Sequence, residues 1–247
     1  MRKNIPALIL AVCLLALWQI IAMIINAPYI LPTPVQIIIR LWELRETLFL
    51  VQLPATMSVT ALGLVISIVL GIFLAVIMDM NKMIENALYP VIVASQTIPT
   101  TAIAPLFVLW FGYSIWSKVL VTILITFFPI AITVYDGFKG TSREMEELLI
   151  TYGATKKDIF LKLKMPQALP NFFSAIKMAV PLSIIGAAIA EWLGAQSGLG
   201  YFSKRMMTQL DGAGVFAPVV LLSVVAMIIV GIINVLENKI IKWRKEL

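Results

Sequence analysis

The sequence predicts an all-α integral membrane protein with six spanning helices. Three observations carry that prediction. Of 247 residues, 61% are hydrophobic and 13% charged, with a mean hydropathy of +0.98; a soluble domain is nearer ~45–50% apolar and ~25% charged. The excess lies in runs long enough to cross a bilayer, for which about 20 mostly apolar residues suffice. The charges, finally, collect between those runs.

The first span, about 5–26, follows Arg2 and Lys3 and so invites comparison with a secretory signal. Its apolar run outlasts a signal core and has no small-residue cleavage site before Asn26. "LAVC" at 10–13 loosely resembles a lipoprotein cleavage box, but the apolar run continues past Cys13. A retained helix is the better reading. Pro28, Pro32 and Pro34 then break the chain, and residues 35–50 read as a short amphipathic helix. The second span covers about 54–78, the third 86–111, the fourth 115–138, the fifth 171–193 and the sixth 215–237. Pro129, Pro181 and Pro218 place possible kinks in the last three. Residues 194–214, "GAQSGLGYFSKRMMTQLDGAG", read as a glycine-rich loop with one helical turn or two. No soluble domain fits anywhere, so residues 1–247 form a single transmembrane domain.

The helices look built to pack on one another. Gly63, Ser67, Gly71 and Ala75 recur every four residues in the second span, and Ala175, Ala179, Ser183 and Ala187 do so in the fifth. Small residues at this spacing let backbones approach closely in lipid, where packing drives association.

Lysine and arginine set the orientation. With the N-terminus inside, the inner segments hold Arg2, Lys3, Lys82, Lys139, Arg143, Lys156, Lys157, Lys162, Lys164, Lys239, Lys242, Arg244 and Lys245. The outer segments hold only Arg40, Arg45, Lys118, Lys204 and Arg205. Both termini and the segment 139–170 are therefore expected in the cytoplasm. Lys177 sits near an inner helix end and can snorkel.

Composition also excludes chemistry. There is no histidine and one cysteine, which removes disulfides, Cys/His zinc sites and His acid–base catalysis. No H-E-x-x-H, G-x-S-x-G or G-x-x-x-x-G-K-[ST] occurs, so the chain is not expected to be an enzyme or to hydrolyse nucleotide by itself. Asp136, Lys177 and Glu191, as ionisable residues in spans, are candidates for function, but each lies toward a helix end, where interfacial solvation is the commoner explanation. No acid or base sits at mid-bilayer, which weakens a proton- or sodium-coupled mechanism.

Two segments remain as candidates. In the third span, "YPVIVASQTIPTTAIAPLFVLWFG", Pro99 is surrounded by Ser95, Gln96, Thr97, Thr100 and Thr101. Either the helix is kinked and its threonines bond their own backbone, or Gln96, Thr97, Thr100 and Thr101 line a translocation path. Residues 144–170 read as an amphipathic helical hairpin. Thr141 and Glu144 have capping-box spacing, and Met145, Leu148, Leu149 and Tyr152 form one apolar face. Gly153 falls where a helix ends in a left-handed residue. Thr155 and Asp158 repeat the capping-box spacing, and the second helix is expected to stop before Pro166. Such a hairpin suits either a lipid surface or a docked partner.

"ELLITYG" from Glu147 to Gly153, with "LKMP" from Leu163 to Pro166, resembles the EAA loop of ABC-importer permeases, E-A-A-x3-G-x9-I-x-L-P. Leu148 and Leu149 stand for the two alanines; Leu163 and Met165 are mild departures. "LWQIIA…PYILPTP", "IPTTAIAPLFVLWFG", "FFPIAITVYDGF", "YGATKKDIFLKLKMPQALP" and "AEWLGAQSGLGYF" are all similar to the nitrate/sulfonate/taurine branch of that family. The resemblance covers nearly the whole chain. It implies a type I importer fold with two permease subunits, here two copies of this chain. Residues around Gly153 would form a coupling helix seated in a cytoplasmic ATPase that supplies the ATP and Mg²⁺ chemistry. Glu147, Gly153, Ala154, Thr155, Asp158 and Pro166 are the coupling residues so assigned, with Glu147 pinning the helix to its surroundings. An external binding protein would deliver solute to the outer loops, including 194–214. Nitrate, alkanesulfonates, taurine and pyrimidine precursors of thiamine stay open as substrates. A stand-alone carrier or channel is the competing class; a non-transporting scaffold is a third.

Overall fold

The computed structural model describes residues 5–241. Of the cations used above for orientation, Arg2, Lys3, Lys242, Arg244 and Lys245 lie outside the described residues. Helix dominates, and no strand occurs among the described residues. The first helix, α1 (Ile5–Ile25), is a 21-residue apolar rod in which only Ala22 is buried. A turn leads into α2 (Pro34–Glu43), whose start is fixed by a capping box. Gln36 N–H donates to Thr33 Oγ1 at 3.1 Å and Thr33 N–H donates to Gln36 Oε1 at 2.9 Å, satisfying two amides that the helix itself leaves free.

A π-helical turn, Thr47–Gln52, runs directly into α3 (Leu53–Met80), and the two act as one apolar span. The third expected span differs most from the sequence reading. It is two helices, α4 (Lys82–Ser95) and α5 (Thr100–Phe111), bent by 96° at residues 96–99. Pro99 explains the break: its ring disfavours helical geometry in the residue before it and it has no N–H to donate. Next come α6 (Ile115–Lys139), α7 (Arg143–Thr151) and the four-residue α8 (Lys156–Ile159). A second π turn, Phe160–Lys164, feeds α9 (Met165–Gly194), and α10 (Leu199–Thr208) and α11 (Gly212–Ile240) complete the chain.

The core is a sandwich of α3, α6 and α9 with α6 in the middle. Both small-residue stripes are buried along it: Gly63, Ser67, Gly71 and Ala75 on α3, and Ala175, Ala179, Ser183 and Ala187 on α9. A Cβ on Gly63 would lie 2.5 Å from Thr122 Cγ2, and one on Gly71 would lie 2.7 Å from Ile130 Cγ2. These positions bring backbones together as only glycine permits, the contact that packs helices in lipid. Ser67 and Thr126 hydroxyls bond across the α3–α6 seam, and Thr126 also donates to Thr122 O at 2.8 Å. A smaller cluster, with Ile37, Leu48, Leu199, Phe202 and Leu221, seats α2, α10 and α11 at one end of the bundle. There Arg40 grips Asp211 Oδ2 through Nε at 2.8 Å and Nη2 at 2.7 Å.

A helical elbow built into a spanning helix

The chain turns sharply between α7 and α8, and local chemistry dictates the shape. Gly153 has φ +82°. Its N–H donates to Ile150 O at 2.9 Å, and Ala154 N–H donates to Leu149 O at 3.0 Å. This pair of bonds closes a helix C-terminus in the Schellman pattern, which needs a left-handed residue where glycine carries no penalty. The next helix begins at once. Asp158 N–H donates to Thr155 Oγ1 at 3.2 Å and Thr155 N–H donates to Asp158 Oδ2 at the same distance. Lys162 Nζ reaches the other oxygen of Asp158 at 2.6 Å. Gly153, Ala154, Thr155 and Asp158 thus form one compact turn with stop and start signals back to back.

The elbow presents apolar side chains outward. Met145, Leu148 and Ile150 are exposed, and Tyr152 at the tip is 81% exposed. A Cβ on Gly153 would meet nothing within 4 Å. Behind the tip the hairpin is anchored. Lys164 Nζ lies 3.0 Å from Asp79 Oδ1 at the end of α3 and 3.4 Å from Glu146 Oε1 on α7. Asp79 is only 5% exposed, so this ion pair is well shielded from water. A groove of about 690 Å³ runs beside it, floored by Met80, Ile150, Ile159 and Phe160 and rimmed by Lys156 and Lys157.

Pro166 does not end the second helix, as the sequence reading expected. The π turn at Phe160–Lys164 widens the coil, so that Met165 N–H donates to Phe160 O. Pro166 then falls in the first turn of α9, where a missing N–H is tolerated. Pro54 at the start of α3 follows a π turn in the same way. The elbow therefore continues without a break from Lys156 to Gly194.

Residues 67–242 match the family described as binding-protein-dependent transport system inner membrane component. The chain belongs to that family. The permease is 54% identical over 233 residues to the formylaminopyrimidine transport permease protein ThiX of Halalkalibacterium halodurans, covering 94% of this chain and 93% of that one. It is 24% identical over 243 residues to the taurine transport system permease protein TauC of Escherichia coli, covering 96% and 88%. Among solved structures, an amino acid ABC transporter superposes with a TM-score of 0.62 at 18% identity, over 81% of this chain and 94% of that one; it shares the fold. The nitrate/sulfonate/taurine branch expected from the sequence is thus the permease's own.

Other expected residues lie where the sequence did not put them. The first helix of the elbow is entered from Ser142 and begins at Arg143, without a side-chain cap among the described residues, so Thr141 and Glu144 form no capping box. Glu147 is exposed and reaches only its own helix, with Arg143 Nε at 3.6 Å. Its neighbour Glu146 makes the link to the bundle instead, because it points back toward Lys164. In the broken third span, Gln96, Thr97 and Thr101 are exposed and Thr100 is half-buried. Thr97 Oγ1 donates to Ala94 O at 2.7 Å and Ser95 Oγ to Ile92 O at 2.6 Å, so these hydroxyls serve local backbone carbonyls. Glu191 is 1% exposed, deep in protein rather than solvated at an interface, and Lys177 Nζ pairs with Glu237 Oε2 at 2.8 Å.

The pairing of Asp79 with Lys164 escaped the sequence reading. Asp79 is the one ionisable residue in α3, and an isolated acid at the end of an apolar span implies a nearby cation. That was the available signal.

Proposed function

We propose that two copies of this permease form the pore of an ATP-driven importer for an aminopyrimidine of the formylaminopyrimidine kind. One observation carries the coupling part: an elbow with an exposed apolar tip, fixed by Gly153, that continues into the core helix α9. A cytoplasmic ATPase binding ATP and Mg²⁺ grips Met145, Leu148 and Tyr152, and closure of that ATPase tilts α9 within the bundle. Glu147, Gly153, Ala154, Thr155, Asp158 and Pro166 shape the grip. The exposed break at Gln96, Thr97, Thr100 and Thr101 lines the solute path, and an external binding protein delivers solute to the opposite end. Both termini face the cytoplasm, following the lysine and arginine bias. The solute class is supported by the 54% identity to a permease described as carrying formylaminopyrimidine.

The test is reconstitution of tagged chain, with its co-purifying ATPase and binding protein, in liposomes supplied with radiolabelled formylaminopyrimidine. ATP-dependent uptake is expected, absent when the ATPase is omitted. Ion-driven or passive flux through the chain alone would establish a self-sufficient carrier instead.

A further inference from the structure

The amide groups of Gly198, Leu199 and Gly200, at the start of α10, are each captured by a side chain from elsewhere. Gly198 N–H donates to Gln52 Oε1 at 2.7 Å, Leu199 N–H to Thr56 Oγ1 at 2.8 Å and Gly200 N–H to Glu191 Oε2 at 2.8 Å. Thr56 Oγ1 lies 3.1 Å from the same carboxylate oxygen. Gln52 and Thr56 flank the entry to α3, and Glu191 stands near the far end of α9. Gln52 and Thr56 are buried like Glu191. The close fit depends on backbone: Gly198 has φ +119°, and a Cβ there would collide with the Glu191 carboxylate, as one on Gly200 would with Ala188 O.

Free amides at a helix start are normally met by the residue just before it, or by water. Here two other helices meet them, and the Glu191 carboxyl group stands at the positive end of the α10 dipole. Removing an acceptor would strand buried N–H groups, so α10 cannot shift relative to α3 and α9 without breaking several bonds together. The helix that bears Glu191 is the one that begins at the elbow.

We infer that Gln52, Thr56 and Glu191 are positioning residues for transport: they clamp α10 to α3 and α9, so that the tilt entering at Gly153 is delivered to α10 at the other end of the bundle. This inference rests on the importer reading. It gives Glu191 a mechanical task in place of proton or solute binding. Without the clamp, α9 would still move with the ATPase while α10 lagged behind, and ATP hydrolysis would proceed without matching import.

The experiment uses the full chain twice. Hydrogen–deuterium exchange on the chain in nanodiscs reads the clamp itself, with no need of partners. For Glu191→Ala, and for Thr56→Val, which keeps side-chain volume and loses the acceptor, exchange at 198–203 is expected to quicken at least tenfold. Exchange at 172–186 should stay at the wild-type rate. Glu191→Gln keeps an acceptor oxygen and should retain most of the protection. The reconstituted importer then reads coupling: formylaminopyrimidine taken up per ATP hydrolysed should fall at least tenfold in Glu191→Ala and Thr56→Val, with hydrolysis sustained. Unchanged exchange at 198–203, loosening spread over all of α9, or an unchanged uptake-to-hydrolysis ratio would each overturn the inference. Absence of uptake by the wild-type complex would instead count against the function proposed above, and the exchange measurement would still decide whether the clamp exists.

Discussion

Replacing Gly153 isolates one physical variable. Its φ of +82° lies in the left-handed region, and the space around its absent side chain is open to 4 Å. A substitution there meets backbone strain and no clash within the chain. For a residue with a Cβ that strain is about 1–2 kcal/mol, with Asn and Asp less affected, and β-branched residues are poorest in this region. If the ATPase recognises only the elbow in its present shape, the strain appears in the docking equilibrium. An increment of about 1–2 kcal/mol corresponds to roughly five- to thirtyfold weaker binding. The expected order of affinity is therefore Gly, then Asn, then Ala, then Val. Measurement would be by titrating purified ATPase onto the permease in nanodiscs, with insertion of each variant checked by its monodisperse elution. An Ala variant that docks as tightly as the parent, or an Asn variant as weak as Val, would refute the argument. Gly153→Asp adds a charge at the tip and should uncouple transport while the protein remains inserted.

Three further outcomes follow from other contacts. Lys164→Met leaves Asp79, which is 5% exposed, beside no cation. It should destabilise the elbow by about 2–3 kcal/mol, between the exposed and fully buried limits, and Asp79→Asn in the same chain should restore most of the loss in a thermal-unfolding assay. Gly63→Ala forces a methyl to within 2.5 Å of Thr122; overpacking of this kind costs about 1–3 kcal/mol and should lower the unfolding temperature, with Thr122→Ser giving partial relief. Gln96→Leu should change solute uptake while leaving ATPase affinity as it was, and unchanged uptake would remove Gln96 from the proposed path.

What the sequence made legible is local or periodic. The apolar runs announced the spans, and the four-residue spacing of Gly63, Ser67, Gly71 and Ala75 announced the face that meets α6, because both patterns repeat along one helix. Glycine at 153 and the Thr155–Asp158 pair announced the elbow, since helix capping is decided within a few residues. The EAA-like spacing announced the family. What escaped depended on distant partners. Residues 194–214 read as a loop because their glycines argue against helix, and the acceptors that make α10 a ten-residue helix come from Gln52, Thr56 and Glu191. Pro166 read as a stop because widening of the turn before it has no signature in a short window. Glu147 was assigned through the EAA-like pattern, and only the fold shows that its neighbour Glu146 is the acid that faces Lys164.

The π turn at Phe160–Lys164 also sets an azimuth. Along an α-helix each residue advances the direction of a side chain by about 100° and the axis by about 1.5 Å. Losing one residue from the widened turn would let the coil close to ordinary pitch. That closure takes up the missing residue and leaves the bearing of Tyr152 nearly unchanged. The same loss elsewhere between Thr155 and Pro166, with the turn still wide, would swing Tyr152 and its neighbours by roughly a quarter of a circle relative to the spanning helix. The elbow would keep its cap, its glycine and its apolar tip while facing the wrong way. Its compass bearing thus resides in five residues, Phe160–Lys164, of which only Leu163 holds a defined place in the EAA-like spacing. Among related chains, a change of length between Thr155 and Pro166 would mark a partner gripping from another side.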